Sequence, residues 1–175
     1  AGYVTEEPRR EFFDHIDAVN VDLKAFTERF YSKICAGHLQ PVLDTLVYLR
    51  QETDVWVEVT DLIIPGKNDS GEELDRMTRW IGEKLGVETP LHFSAFHPDF
   101  RMRDQRPTPP ETLLMARDIA MGNGLRYVYT GNIHHANSSS TYCHHCGEST
   151  IGRDWYELKE WTLDHEGRCS RCGTL

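Results

Sequence analysis

Two CxxCG knuckles stand near the end of the chain, Cys143-His144-His145-Cys146-Gly147 and Cys169-Ser170-Arg171-Cys172-Gly173, with 22 residues between Cys146 and Cys169. Four thiolates spaced in this way describe a tetrahedral metal site, because each pair sits on a tight turn that aims both sulfurs at one ion. The glycine after each pair supplies the positive φ that such a turn needs. Zinc is the expected occupant and iron the alternative, since the same sulfur geometry accepts either. Two independent redox dithiols would use the same residue types, but a redox CxxC usually comes singly, near a βαβ unit. Four cysteine ligands leave no open coordination position, so Cys143, Cys146, Cys169 and Cys172 are expected to stabilise a fold too small for its own core.

This reasoning divides the 175 residues into a metal-held ribbon over 137–175 and a first part, 1–136, that must supply any chemistry. The chain has no long apolar run, so no membrane-spanning helix is expected, and its first residues lack the basic and apolar regions of a signal peptide. Cys35 is the one cysteine outside the knuckles, a usage that suits a reducing compartment and predicts a cytoplasmic location. Cys35 itself is read as a thiol packed within a helix. The net charge is −9, and within 137–175 the cations Arg153, Lys159, Arg168 and Arg171 are outnumbered by Glu148, Asp154, Glu157, Glu160, Asp164 and Glu166. A nucleic-acid reader needs a basic face to displace counterions from phosphates, so nucleic acid is disfavoured as a partner.

Ahead of the knuckles, strand-like and helix-like segments alternate. Residues 18–24, 55–64, 91–96 and 126–130 are rich in β-branched and aromatic residues and read as strands. Helices are expected over 6–15 and 40–50, opened by Pro8 and Pro41, with a short one near 27–34. Ser70-Gly71-Glu72-Glu73 is a capping box ahead of Leu74, Met77, Ile81 and Leu85, with Gly86 as the stop. Thr108-Pro109-Pro110-Glu111 repeats that design ahead of a helix ending near Gly122 and Gly124. A repeated βα order predicts an α/β fold with a parallel sheet, because parallel neighbours need crossover connections.

Strands of such sheets normally read as continuous apolar runs, and two of these do not. In 18–24 the valines share one face while Asn20, Asp22 and Lys24 share the other; in 55–60 three valines oppose Trp56, Glu58 and Thr60. One such strand could be a solvated edge. Two of them predict a polar interior or cleft suited to a zwitterionic ligand. Sites form at the carboxyl ends of strands, where Asp22 and Lys24, the loop 64–70, the segment Ser94 to Asp99 and the segment Tyr129 to Asn132 stand.

Taken in order, Asp22-Leu23-Lys24, Trp56-Val57-Glu58 running through Thr60 into Pro65-Gly66 and Asn68-Asp69, His92-Phe93-Ser94 to His97-Pro98-Asp99, Tyr127-Val128-Tyr129 to Gly131-Asn132, and the knuckles resemble the later part of radical S-adenosylmethionine (SAM) enzymes of the pyruvate formate-lyase activating type, more narrowly the radical SAM member of the AmmeMemoRadiSam system. The resemblance implies the C-terminal half of a partial (βα) barrel, followed by a zinc-ribbon or rubredoxin-like module. It implies an oxidoreductase that cleaves SAM reductively to a 5′-deoxyadenosyl radical, with an electron donor and a protein or small-molecule substrate as partners of the full-length enzyme. The family's CxxxCxxC loop for a 4Fe-4S cluster is not in this sequence. Ala1-Gly2-Tyr3 resembles the end of a mid-barrel strand, so the chain is expected to be a C-terminal portion, inactive alone. By resemblance Lys24 meets the cofactor's carboxylate, Asp22 its amino end and His97 its ribose or adenine region, with Glu58 and Thr60 as further cofactor-binding candidates. The resemblance identifies no catalytic residue.

Two other readings remain open from the residues. One is a zinc-ribbon protein-interaction module, with Trp155, Tyr156 and Trp161 either exposed for a partner or packed on the knuckles. The other is a metal-dependent hydrolase or lyase using Asp22, Glu58, His92 and His97. His134, His135, His144 and His145 are read as mostly solvated.

Overall fold

The computed structural model describes residues 2–175; the reading placed on Ala1 lies outside them. Helix α1 (Glu6–Phe13) leads into strand β1 (Ala18–Asp22), a short helix α2 (Glu28–Phe30), a π-helical turn (Tyr31–Cys35) and helix α3 (Gln40–Glu52). Strand β2 (Trp56–Ile63), helix α4 (Gly71–Lys84), strand β3 (Leu91–Ala95), helix α5 (Pro110–Gly122) and strand β4 (Val128–Gly131) complete the larger part. Helix α6 (Ala136–Ser139) then joins it to three short strands, β5 (Thr141–Tyr142), β6 (Ser149–Asp154) and β7 (Glu157–Trp161). No helix among the described residues is long and apolar enough to cross a membrane.

Strands β1 to β4 form one parallel sheet in the order β1-β2-β3-β4, and β5 to β7 form a separate antiparallel one. An unreversed order has a structural consequence. Crossovers between parallel strands share one hand, so three steps in one direction place α3, α4 and α5 on the same face of the sheet. The core lies between them. Val21, Val59, Leu91 and Phe93 from the strands meet Leu46, Leu49, Leu74, Met77, Ile81 and Leu113 from the helices, all fully buried. Burial of each such side chain contributes roughly 1.5–3 kcal/mol. The period of two then turns Asn20, Asp22, Glu58, Thr60, His92 and Tyr129 to the opposite face, which no crossover helix covers. The polar alternation of β1 and β2 therefore belongs to one bare face.

Local signals placed most boundaries. Ser70 accepts the Glu73 N–H at 3.3 Å, as the capping box requires, and Gly86 ends the helix at φ +100°. The reciprocal half of the box is absent, because Glu73 instead accepts the Phe26 N–H at 2.7 Å and ties α4 to the segment after β1. Thr108 also departs from expectation. Pro109 occupies the cap position of α5 with no side-chain bond, while the Thr108 hydroxyl donates to the Ile63 carbonyl and accepts the Phe96 N–H at 2.9 Å. It serves as a tie between the ends of β2 and β3. Cys35 is exposed, not packed as the sequence suggested, because it lies on a π-helical turn whose residues after the buried Tyr31 all face outward.

Candidate functional site

The carboxyl end of β1 carries the first charged pair. Lys24 Nζ lies 2.9 Å from Asp22 Oδ1, and both side chains are about one-third exposed, 37% and 35%. Alternation along the strand puts them side by side, and the buried framework behind holds them there. The Lys24 N–H donates to the Tyr31 hydroxyl at 3.1 Å, and Asn68 Nδ2 donates to the Lys24 carbonyl at 2.8 Å. The same Asn68 amide donates to Asp61 Oδ1 and to the Leu62 carbonyl, while its oxygen accepts the Ile64 N–H. Asn68 thus locks the ends of β1 and β2 to the loop after β2. Burial, reinforced by the nearby Glu73 carboxylate, pushes the Asp61 carboxyl well above the usual carboxylate range. Burial likewise raises the Tyr31 phenol.

Register defines how the other predicted residues relate to this pair. Asp22 is opposite Thr60, Thr60 is opposite His92, and His92 is opposite Tyr129, so the four form one row across the bare face. Strands lie about 4.8 Å apart, which places β3 roughly 10 Å from Asp22. Thr60 donates to Asn20 Oδ1 at 2.8 Å. His97 follows the end of β3, exposed and free of hydrogen bonds among the described residues. Glu58 sits one row toward the amino ends of the strands, where Oε2 pairs with His92 Nε2 at 2.9 Å and Oε1 accepts Trp56 Nε1–H at 3.2 Å. The structure therefore separates Glu58 from the Asp22–Lys24 pair and commits it to His92. Sequence reasoning did not single out Asp61, Tyr31 and Glu73 as site residues. Their signal was a polar residue on the otherwise apolar helix-facing side of a strand, and a Glu in a helix's first turn.

The knuckles form the second site. The sulfurs of Cys143, Cys146, Cys169 and Cys172 all lie within 4.8 Å of one another, with Cys143 to Cys172 at 3.6 Å and Cys146 to Cys169 at 3.7 Å. A tetrahedron of Zn–S bonds of about 2.3 Å has edges of about 3.8 Å, whereas a disulfide would bring two sulfurs to about 2.05 Å. The donor set fits one metal ion. Each knuckle repeats the same turn: the Gly147 N–H donates to the Cys143 carbonyl at 2.9 Å with φ +74°, and the Gly173 N–H to the Cys169 carbonyl at 2.8 Å with φ +73°. The Cys172 thiol also donates to Thr174 Oγ1 at 3.4 Å. Among the described residues this is the only group of three or more His, Cys, Asp or Glu whose ligand atoms converge on one ion. Asp22, Glu58, His92 and His97 do not converge in that way.

No family model matches the chain. An uncharacterized protein of Methanocaldococcus jannaschii is 44% identical over 173 residues, which cover 98% of this chain and 51% of that protein. The chain thus spans about half the length of the curated relative it matches. Among solved structures, a domain of pyruvate-formate lyase-activating enzyme from Bacteroides vulgatus superposes with a TM-score of 0.63 at 14% identity, covering 73% of this chain and 75% of that one. That likeness shows the fold alone.

Proposed function

We propose that the chain is a portion of a radical SAM enzyme whose contribution is one polar sheet face that binds the amino-acid end of SAM. The observation that carries this reading is the Lys24–Asp22 pair at the carboxyl end of β1. A cation and an anion held 2.9 Å apart, each about one-third exposed, can exchange their mutual contact for the carboxylate and ammonium of a zwitterion without leaving a charge unpaired. His97, exposed on the rim after β3 and without a protein partner among the described residues, is the proposed contact for the ribose or adenine region. Thr60 orients Asn20 beside this pair. The shared fold with a pyruvate-formate lyase-activating enzyme domain supports the assignment.

The fit of the implied cofactors differs. The Lys24–Asp22 pair suits SAM, which in such enzymes supplies the radical chemistry. The 4Fe-4S cluster does not fit the cysteines of this chain, because four converge on the ribbon site and Cys35 stands apart. No step of the reaction is therefore assigned to residues of this chain. Zinc is the proposed occupant of the ribbon, with a structural role.

Calorimetric titration of the metal-loaded chain with SAM tests the reading. Saturable binding should weaken about ten- to a hundredfold in Lys24→Ala, the range for a hydrogen bond to a charged group. Iron, sulfide and a reductant added to this chain should yield no 5′-deoxyadenosine. Binding that is undetectable, or indifferent to Lys24→Ala, would refute it.

A second reading has one specific observation behind it. Trp155, Tyr156, Leu158 and Trp161 are exposed on the β6–β7 hairpin, Tyr156 to 93%, instead of packing on the knuckles, and Trp155 stacks on His134 at 4.7 Å. Such a patch favours a protein-interaction role for the ribbon. Both roles are compatible in one molecule.

A further inference from the structure

The amino-terminal half of the bare sheet face and the ribbon enclose a cleft of about 480 Å³, within the size range of small-molecule sites. It is offset from the Lys24–Asp22 pair and neither residue lines it. The sheet contributes Trp56, Glu58, His92 and Tyr129, and the ribbon side contributes Ile151 and Arg153. Trp56 is 58% exposed although it stands on a strand in the middle of the sheet. His92 stacks on Tyr129 with ring centroids 5.2 Å apart and planes 28° from parallel.

Charge inside the cleft is unevenly satisfied. Both oxygens of Glu58 already have partners, His92 Nε2 and Trp56 Nε1. Arg153 has no carboxylate within 4.0 Å among the described residues. Its Nη1 donates to Thr141 Oγ1 at 2.7 Å and to the Ser139 carbonyl at 3.4 Å, and its Cζ lies 5.7 Å from the Tyr129 ring centroid. Those contacts fix the guanidinium against the cleft wall. Its Nε and Nη2 donors keep their hydrogen-bonding capacity, because both bonds use Nη1. Arg153 is therefore a positioned guanidinium with no carboxylate partner, the kind of group that recognises an anion.

We infer that this cleft binds a small planar aromatic carboxylate, its ring against Trp56 and the His92–Tyr129 stack and its carboxylate on Arg153. Area and charge select this class together. Flat aromatic walls favour a ring by stacking, and the free fork of Arg153 matches a carboxylate. The ribbon then gains a role beyond stability, because the metal-held module supplies the cation that completes the site.

The test is calorimetric titration of the metal-loaded protein with three probes sharing one ring: indole-3-acetate, neutral tryptophol and cationic tryptamine. Indole-3-acetate should bind at one site per chain and more tightly than either of the others. Arg153→Gln should weaken indole-3-acetate about ten- to a hundredfold and leave tryptophol little changed. Metal content per chain is measured alongside, since Arg153 also braces Thr141. Trp56→Ala, a change outside the ribbon, should weaken both indole-3-acetate and tryptophol, so the proposal stays testable if Arg153→Gln loses its metal. No saturable binding of indole-3-acetate, equal binding of all three probes, tighter binding of tryptamine, or insensitivity to Trp56→Ala would each overturn it. Binding of SAM uses different residues, so either result can fail without the other.

Discussion

Asp61 is 1% exposed on the helix-facing side of β2, where a carboxylate has almost no water. Desolvation raises its pKa, Glu73 adds to the shift, and Asn68 supplies one compensating hydrogen bond. The folded state therefore prefers the protonated acid. Its contribution to stability is fully present below the unfolded pKa of about 3.9 and is lost as pH rises through the higher folded value. Asp61→Asn keeps the acceptor for Asn68 and removes the charge, so it should stabilise the protein at pH 7 by about 1–3 kcal/mol. Urea titration at several pH values should show that gain shrinking toward pH 4. Thr108 makes the opposite point, since its hydroxyl satisfies Ile63 and Phe96 together. Thr108→Val should destabilise by about 1–3 kcal/mol in the same titration by leaving a buried N–H and carbonyl unpartnered.

Among the elements, the knuckles were the most legible from residues alone. A Cβ on Gly147 or Gly173 would meet nothing within 4 Å, so what these positions require is a backbone conformation and not space. Gly147→Ala or Gly173→Ala should cost about 1–2 kcal/mol through positive φ and should lower metal affinity about tenfold, read by competition with a chelator. Strands and helices were also legible, because period-two and period-3.6 patterns are local properties. Partner choice was not. Nothing in Ser70-Gly71-Glu72-Glu73 says that Glu73 will leave its own cap for Phe26, and nothing in Thr108-Pro109 says that the hydroxyl will reach β2. These are competitions between a local acceptor and a distant one, decided after the elements pack.

For the whole molecule, the order β1-β2-β3-β4 governs everything else, because three crossovers of one hand leave a single sheet face bare. Metal removal probes how far the two sheets depend on each other. A chelator should melt β5 to β7 while β1 to β4 and their helices keep their far-ultraviolet signal, since the larger core lies wholly between the sheet and its helices. The α/β class, the segments of β1 to β4 and of α1 to α5, the four converging cysteines and the polar alternation of β1 and β2 were written in the order of residues, because spacing and period act within one segment. Three features were not: the pairing of Glu58 with His92 instead of with Lys24 and Asp22, the burial of Asp61 behind them, and the reach of Arg153 from the ribbon to Tyr129. Each of these depends on strand register or on docking of one sheet against another, and both are set by long-range packing.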